Sequence, residues 1–197
     1  MIARIKGTLL RRDMDEVEVM TAGGVAYQIA IPISVYEKLP RPGTEIELRT
    51  VQVVREDALL LFGFLDDDER ALFSRLLTAS GVGPRLALGM MSTLSPARLV
   101  RALADKDTAV LVQVPGVGRK TAERIAVELS DKVDDLAVAA SGARPQGRAA
   151  EGAVGALVSL GFSTADATSA VRRAIETDGP TDDPQVLIKR ALAVAGK

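Results

Sequence analysis

Two glycine-rich turns carry the residue types and spacing in this chain that are best suited to chemistry, and that chemistry is anion binding. Each turn is a Gly-Val-Gly triplet, and a basic residue stands two positions after its second glycine. The candidate contact residues are Gly81, Val82, Gly83 and Arg85 at the first turn, and Gly116, Val117, Gly118, Arg119, Lys120 and Arg124 at the second. We interpret both turns as binding sites for the phosphates of a DNA backbone.

The physical basis of this prediction is the backbone. Glycines let the chain turn tightly and approach a ligand without a Cβ in the way. A helix that starts just after the turn points its free N–H groups and its positive dipole end outward, which suits a phosphate. No side chain typical of base reading accompanies the turns, so the predicted contact is with the backbone and is independent of base sequence.

The two turns belong to an internal repeat. Residues 76–90 match residues 111–125 at a constant offset, and both segments read as helix, turn, helix. A nucleotide-binding P-loop is excluded because Val114 stands where its first glycine is needed, and a dinucleotide fingerprint is excluded because Leu86 and Thr121 replace its third glycine. A plain turn between packed helices remains the alternative, and the repetition of the pattern counts against it.

The elements around the turns follow from hydrophobic periodicity. Residues 1–64 alternate with a period of two, Gly23-Gly24 marks a hairpin, and five or six short strands of this kind favour a small OB-fold barrel over a β-sandwich. Residues 65–133 change to helical spacing. Residues 134–150 are poor in large apolar side chains and predict a flexible linker, and residues 151–197 predict three short helices, the first over residues 152–160.

Composition narrows the function classes. The 197 residues include no Cys, His or Trp, which argues against disulfides, thiolate nucleophiles, Cys or His metal ligands and His bases. We therefore predict no cofactor and no metal, and a cytoplasmic protein without a signal peptide or membrane span. The net charge is −1, so nucleic-acid binding must rest on local charge, and residues 70–104 carry five arginines and no acid. Chance decoration of a solvated helix is the alternative reading of that stretch.

These motifs closely resemble the RuvA family, the DNA-binding subunits of the bacterial Holliday junction branch migration complex. The segments that carry the resemblance span the whole chain in the family's order: MIARIKGTL, GGVAYQI, VVREDALLLFGF, GVGPRLAL, PGVGRKTAERI and LVSLGF. The resemblance implies an α+β multidomain fold. Its parts are an N-terminal OB-fold barrel (1–64), a domain with two helix-hairpin-helix motifs (65–133), the linker (134–150) and a UBA-like three-helix domain that binds a motor (151–197).

The resemblance also implies partners and further site residues. It implies a non-catalytic homotetramer, or an octamer of two facing tetramers, on a four-way DNA junction, with the hexameric ATPase RuvB as motor and the resolvase RuvC in the same complex. Arg55, Glu56 and Asp57 would form an acidic pin at the junction centre, where carboxylates repel phosphates and keep the strands apart. An ordinary polar hairpin turn is the plain reading of those three residues.

The predicted motor-binding patch lies in the last domain and consists of Leu157, Leu160, Phe162 and Leu192. Its alternative is that these side chains are simply the core of a small domain. Two other function classes stay open. A nuclease could use the acidic run of residues 66–69 with Mg²⁺, although acids there also suit a helix N-terminus. A single-strand-binding OB-fold is disfavoured by the 3% aromatic content.

Overall fold

Two compact units, Met1–Val133 and Asp134–Lys197, make up the chain. The computed structural model describes residues 1–133, 136, 148–179, 181 and 183–195. Within that part of the chain, none of the helices is long and apolar enough to cross a bilayer.

The first unit begins with a closed five-stranded barrel, which confirms the predicted OB-type architecture. The strands are β1 (Arg4–Arg12), β2 (Glu16–Met20), β3 (Ala26–Ala30), β4 (Glu45–Val54) and β5 (Leu59–Phe64). Their order around the barrel is β1-β2-β3-β5-β4, and every neighbouring pair is antiparallel except β3 with β5, which are parallel. A short helix, α1 (Ile33–Tyr36), follows β3.

Alternation of side chains explains the barrel core. Every second residue is buried along β2 and, in β1, from Ile5 to Leu9, as the period of two predicts. Ile29 and Leu48 complete the interior from β3 and β4. The predicted hairpins are confirmed: β2 pairs with β3 across Gly23-Gly24, and β4 pairs with β5 from Arg49↔Phe64 to Val54↔Leu59. The second of these hairpins presents its turn residues, 55–58, at the end of the barrel.

Helices complete the first unit and place the two glycine turns. They are α2 (Asp67–Leu76), α3 (Pro84–Thr93), α4 (Pro96–Ala104), α5 (Thr108–Leu111) and α6 (Arg119–Leu129), followed by a 3-10 turn (Ser130–Lys132). Aromatic packing joins them to the barrel, because the Phe73 ring of α2 lies with its centroid 4.9 Å from that of Phe62 and 5.0 Å from that of Phe64. This aromatic packing holds the helical domain against the barrel.

A buried carboxylate lies where α2 leaves the barrel. Glu69 is 4% exposed, accepts a hydrogen bond from the Leu65 backbone N–H at 3.1 Å, and pairs with Lys38 at 3.5 Å. Burial raises the pKa of Glu69, and the Leu65 bond opposes that effect only in part. The ionised form is therefore less well solvated in the folded chain than in the unfolded chain.

We expect Glu69 to give the first unit a measurable pH dependence. The pKa of Glu69 is higher in the folded chain than in the unfolded chain, so the folded chain binds the proton more tightly. The free energy of unfolding therefore falls as pH rises through the interval between these two pKa values. Glu69→Gln keeps an acceptor for Leu65 and removes the ionisation, so that fall should disappear. Urea denaturation of both proteins between acid and neutral pH is the measurement, and parallel curves would contradict the assignment.

The described residues of the second unit include three helices with defined bounds: α7 (Arg148–Ser159), α8 (Thr164–Asp178) and α9 (Pro184–Ala195). Small residues dominate its core, with Leu157 and Leu187 among the few large ones. The first helix starts at Arg148, not at Gly152 as predicted, so residues 148–150 belong to a helix and not to a linker. Ala150 is buried in the core, which periodicity of large side chains could not reveal. The rest of the predicted linker lies outside the described residues, apart from residue 136.

Candidate nucleic-acid interface

Both glycine turns adopt the same conformation at the start of a helix. Gly81 and Gly116 have positive φ angles of 81° and 88°, which only glycine adopts without strain. The valines that follow are buried, with Val82 at 6% and Val117 at 4% exposure, so each anchors its turn to the helical core. The turns are thus rigid and geometrically equivalent, as their sequence repeat predicts.

The second glycine of each turn differs from the first in its backbone conformation and in its position at the start of a helix. Gly83 and Gly118 are the N-cap residues of α3 and α6, with φ of −89° and −82°, an extended conformation open to any residue. A Cβ built on either meets no other atom of the described chain within 4 Å. Neither packing nor backbone strain requires glycine here, so its effect is to leave the helix N-terminus uncovered.

Other helices of the same unit show the usual arrangement. The N-cap of α2 is Asp66, which accepts from the Glu69 N–H at 2.7 Å, and the N-cap of α4 is Ser95, which accepts from the Arg98 N–H at 3.4 Å. At α3 and α6 no side chain makes such a bond, and no acid lies in the first turn. The free N–H groups of their first turns and the positive dipole ends are available to an external anion. In α3 these donors exclude Pro84, the first helical residue, which has no N–H.

Basic side chains surround these two N-termini. Arg85 on α3 and Arg119 and Lys120 on α6 are exposed beside the turns, in the first helical turn after Gly83 and Gly118. Arg119 also pairs with Glu123 one turn along the helix at 3.2 Å, a bond that exposure makes weak. The structure therefore places these three predicted contact residues on the accessible side of the turns.

Arg124 occupies a position that the sequence did not suggest. Its guanidinium lies over the first turn, where a Cβ on Gly81 would come within 2.6 Å of Arg124 Nη2. In the other direction, Leu86 of α3 lies 3.5 Å from a Cβ built on Gly116. Each glycine turn thus lies close to a side chain of the helix that follows the other turn.

Two further residues, one on α6 and one in the 3-10 turn after it, also contact the loop before the first turn, and sequence reasoning missed both. Glu128 Oε2 accepts the Ser80 backbone N–H at 2.8 Å, and Lys132 Nζ donates to Thr78 Oγ1 at 3.3 Å. The bond from Ser80 holds the pKa of Glu128 below its ordinary value, with help from the positive charges of Arg124 and Lys132. The only sequence clue was spacing, because Arg124, Glu128 and Lys132 recur every four residues.

The predicted acidic pin lies at the tip of the β4–β5 hairpin. Arg55, Glu56 and Asp57 are exposed, and the turn is closed by a hydrogen bond from the Arg55 N–H to the Ala58 carbonyl at 2.8 Å. Val54 and Leu59, which pair across the two strands below the tip, are 67% and 71% exposed. The hairpin end therefore projects two carboxylates into solvent on an ordered support.

The acidic run at residues 66–69 is engaged within the fold. Asp66 caps α2, Asp67 pairs with Arg49 at 3.4 Å and with Arg70 at 2.9 Å, and Glu69 faces the Leu65 N–H. No group of three or more acidic side chains among the described residues is arranged to hold a metal ion. These contacts support the interpretation that the acidic run stabilises the N-terminus of α2.

The predicted motor-binding patch separates into core and surface. Leu157 is 0% exposed and belongs to the core of the second unit, so its predicted place on an accessible patch is corrected. It faces inward because its turn of α7 packs on α8 and α9, which three-residue spacing with Leu160 could not reveal. Phe162 is half-buried against that core, whereas Leu160 at 63% and Leu192 at 36% are exposed.

Comparison with known proteins covers the chain in three consecutive segments. Residues 1–63 match the family described as RuvA N terminal domain, residues 73–131 match the SAM-like helix-hairpin-helix tandem, and residues 148–195 match the RuvA C-terminal domain. Similar full-length proteins are each called Holliday junction branch migration complex subunit RuvA. That of Gemmatimonas aurantiaca is 48% identical, that of Acidobacterium capsulatum 46%, and that of Shewanella amazonensis 42%, each over 98% of both chains.

Proposed function

Because this chain belongs to the RuvA family, we propose that it binds four-way DNA junctions without regard to base sequence and recruits the RuvB ATPase to drive branch migration. The process it serves is homologous recombination and DNA repair, including the SOS response, in the cytoplasm. The chain itself is a non-catalytic subunit, and the ATPase resides in the partner. The observation that carries this proposal is the pair of uncovered helix N-termini at Gly83 and Gly118.

The free N–H groups, the helix dipole and a basic side chain at each of these N-termini favour phosphate as the ligand. Each offers free backbone N–H groups at the positive end of a helix dipole, and a flexible basic side chain, Arg85 or Lys120, lies in the same turn. A phosphate bound there makes charge-assisted hydrogen bonds that any base sequence would allow. The two sites of one chain would bind the same strand segment. A homotetramer, or an octamer of two facing tetramers, would repeat these sites around a junction.

The acidic pin gives the proposed complex its preference for a crossover. Glu56 and Asp57 stand exposed at the hairpin tip, supported by the paired ends of β4 and β5. Carboxylates repel a continuous backbone that passes over them, but they fit an opening where strands diverge into separate arms. Four copies around a symmetry axis would line the centre of an open, square-planar junction.

The second unit is the proposed docking point for RuvB. Leu160 and Leu192 are exposed and Phe162 is half-buried, so these three residues remain candidates after Leu157 is assigned to the core. An apolar segment of the motor would cover them and remove their surface from water. RuvC would join the same complex on the DNA left accessible by one tetramer.

The decisive experiment compares binding to a four-way junction and to linear duplex of the same sequences. We expect tighter binding to the junction at every salt concentration, with the same affinity when all base sequences are exchanged. The logarithm of affinity should fall linearly with the logarithm of salt, by about 0.9 for each phosphate contact. Gel shift or fluorescence anisotropy would measure it, and equal affinity for junction and duplex would overturn the proposal.

A further inference from the structure

The first glycine turn is held by a row of polar side chains from the end of the second motif. Arg124, Glu128 and Lys132 follow one another at intervals of four residues, which places them on one side of α6 and the 3-10 turn after it. All three reach the same short loop, residues 78–81. Neither Glu128 nor Lys132 belongs to the phosphate contacts proposed at Gly83 and Gly118.

The central contact in this row is between Glu128 and the backbone. Its carboxylate accepts the Ser80 N–H at 2.8 Å, immediately before Gly81 turns the chain at a φ of 81°. The Arg124 guanidinium lies against Gly81, and Lys132 Nζ donates a hydrogen bond to Thr78 Oγ1 at 3.3 Å. The loop before α3 is thus contacted at Thr78, Ser80 and Gly81 by side chains from α6 and from the 3-10 turn after it.

The second glycine turn lacks this arrangement. The residue that corresponds to Ser80 in the repeat is Pro115, which has no N–H to donate. Its glycine, Gly116, instead contacts the apolar Leu86 side chain. The two turns are alike in conformation and differ in how they are supported, so the polar row is a specific feature of the first.

A carboxylate close to a phosphate site lowers the affinity for phosphate, so a carboxylate at this position needs a separate structural role. Glu128 repels any phosphate at the first turn, so electrostatics alone would favour its removal. We propose that Glu128 is a positioning residue, which holds the Ser80–Gly81 backbone so that the N–H groups at the start of α3 face the DNA phosphate. This inference rests on the proposed function and deepens it, because it makes the second motif part of the first motif's binding site.

The test uses two substitutions in the full chain that separate charge from positioning. Glu128→Gln removes the charge and keeps an oxygen that can accept the Ser80 N–H, whereas Glu128→Ala removes both and preserves helix propensity. A matched control, Glu123→Ala, removes one negative charge from the same helix at a residue that pairs with Arg119. Junction affinity is measured for all four proteins at one salt concentration.

If Glu128 positions the turn, Glu128→Ala weakens junction binding by about three- to tenfold, although it removes a repulsive charge. Glu128→Gln and Glu123→Ala should bind as tightly as the parent chain or more tightly. If Glu128 has no positioning role, all three variants bind with equal or higher affinity, and that result overturns the inference.

Amide exchange tests the same inference without DNA. We expect the Ser80 amide of the free protein to be protected in the parent chain and in Glu128→Gln, and to exchange faster in Glu128→Ala while the α2 and α6 amides stay protected. Unchanged Ser80 exchange in Glu128→Ala overturns the positioning role. A parent chain that fails to prefer junctions overturns the proposed function instead, and the exchange result is independent of that failure.

Discussion

A chain that ends after Val133 is expected to bind four-way junctions as the full chain does and to lose all branch migration driven by RuvB. The first unit contains the barrel, the hairpin tip and both glycine turns, and it is compact by itself. Val133 must be kept because it is fully buried in that unit. The measurements are junction affinity and ATP-dependent strand separation with purified RuvB, and migration by the truncated chain would contradict the docking role of the second unit.

Point substitutions in the full chain refine this expectation. Leu160→Asp places a carboxylate at a residue that is 63% exposed, so the three helices should fold and only the interaction with RuvB should be lost. Leu157→Asp is the contrasting variant, because a carboxylate at this fully buried residue should unfold the second unit. Circular dichroism separates the two cases, and a folded Leu160→Asp protein that still supports migration would exclude Leu160 from the contact.

Gly118→Asp is expected to weaken junction binding by about tenfold to a hundredfold without destabilising the fold. The N-cap conformation of Gly118 accepts any residue, and a Cβ added there meets no neighbour within 4 Å. Aspartate is a favoured N-cap, so its carboxylate should bond to the first N–H groups of α6 and add a few tenths of a kcal/mol of stability. The same bonds would occupy the donors that a phosphate needs and oppose its charge.

Two neutral substitutions at the same residue provide controls. Gly118→Ala adds only a methyl group in open space and should have the smallest effect on affinity, and Gly118→Asn caps the helix without charge and should lie between the two. Thermal unfolding and junction titration of the three variants give both quantities. If the Asp and Ala variants bind alike, the N-terminus of α6 is not a phosphate site.

Local pattern was sufficient for much of this fold. The period-two segments around Gly23-Gly24 predicted a hairpin that the structure contains, and the two Gly-Val-Gly triplets predicted helix–turn–helix units with the glycines at the turns. These features depend on residues close together in the chain, where backbone sterics and side-chain alternation decide the outcome. The sequence also shows a basic residue two positions after the second glycine of each turn, and Arg85 and Lys120 are exposed at those positions.

Contacts between distant segments were not predictable in this way. The bond between Glu128 and the Ser80 backbone joins residues 48 positions apart, and no periodicity within either segment encodes it. The burial of Leu157 and the exposure of Leu160 depend on how α7 packs against two other helices. The early start of α7 at Arg148 was hidden because alanine fills its core positions, and alanine contributes little to a hydrophobic pattern.

The uncovered amides at Gly83 and Gly118 also bear on how easily DNA can be moved across this protein. Phosphates recur identically at every nucleotide, so advancing a strand by one unit restores the same contacts at the same energy. A side chain that recognised a base edge would add about 1–3 kcal/mol at each match and create traps along the path. Backbone contacts of the kind proposed here would give a smooth, periodic energy profile, and a motor pulling the duplex would meet the same load whatever base pairs pass.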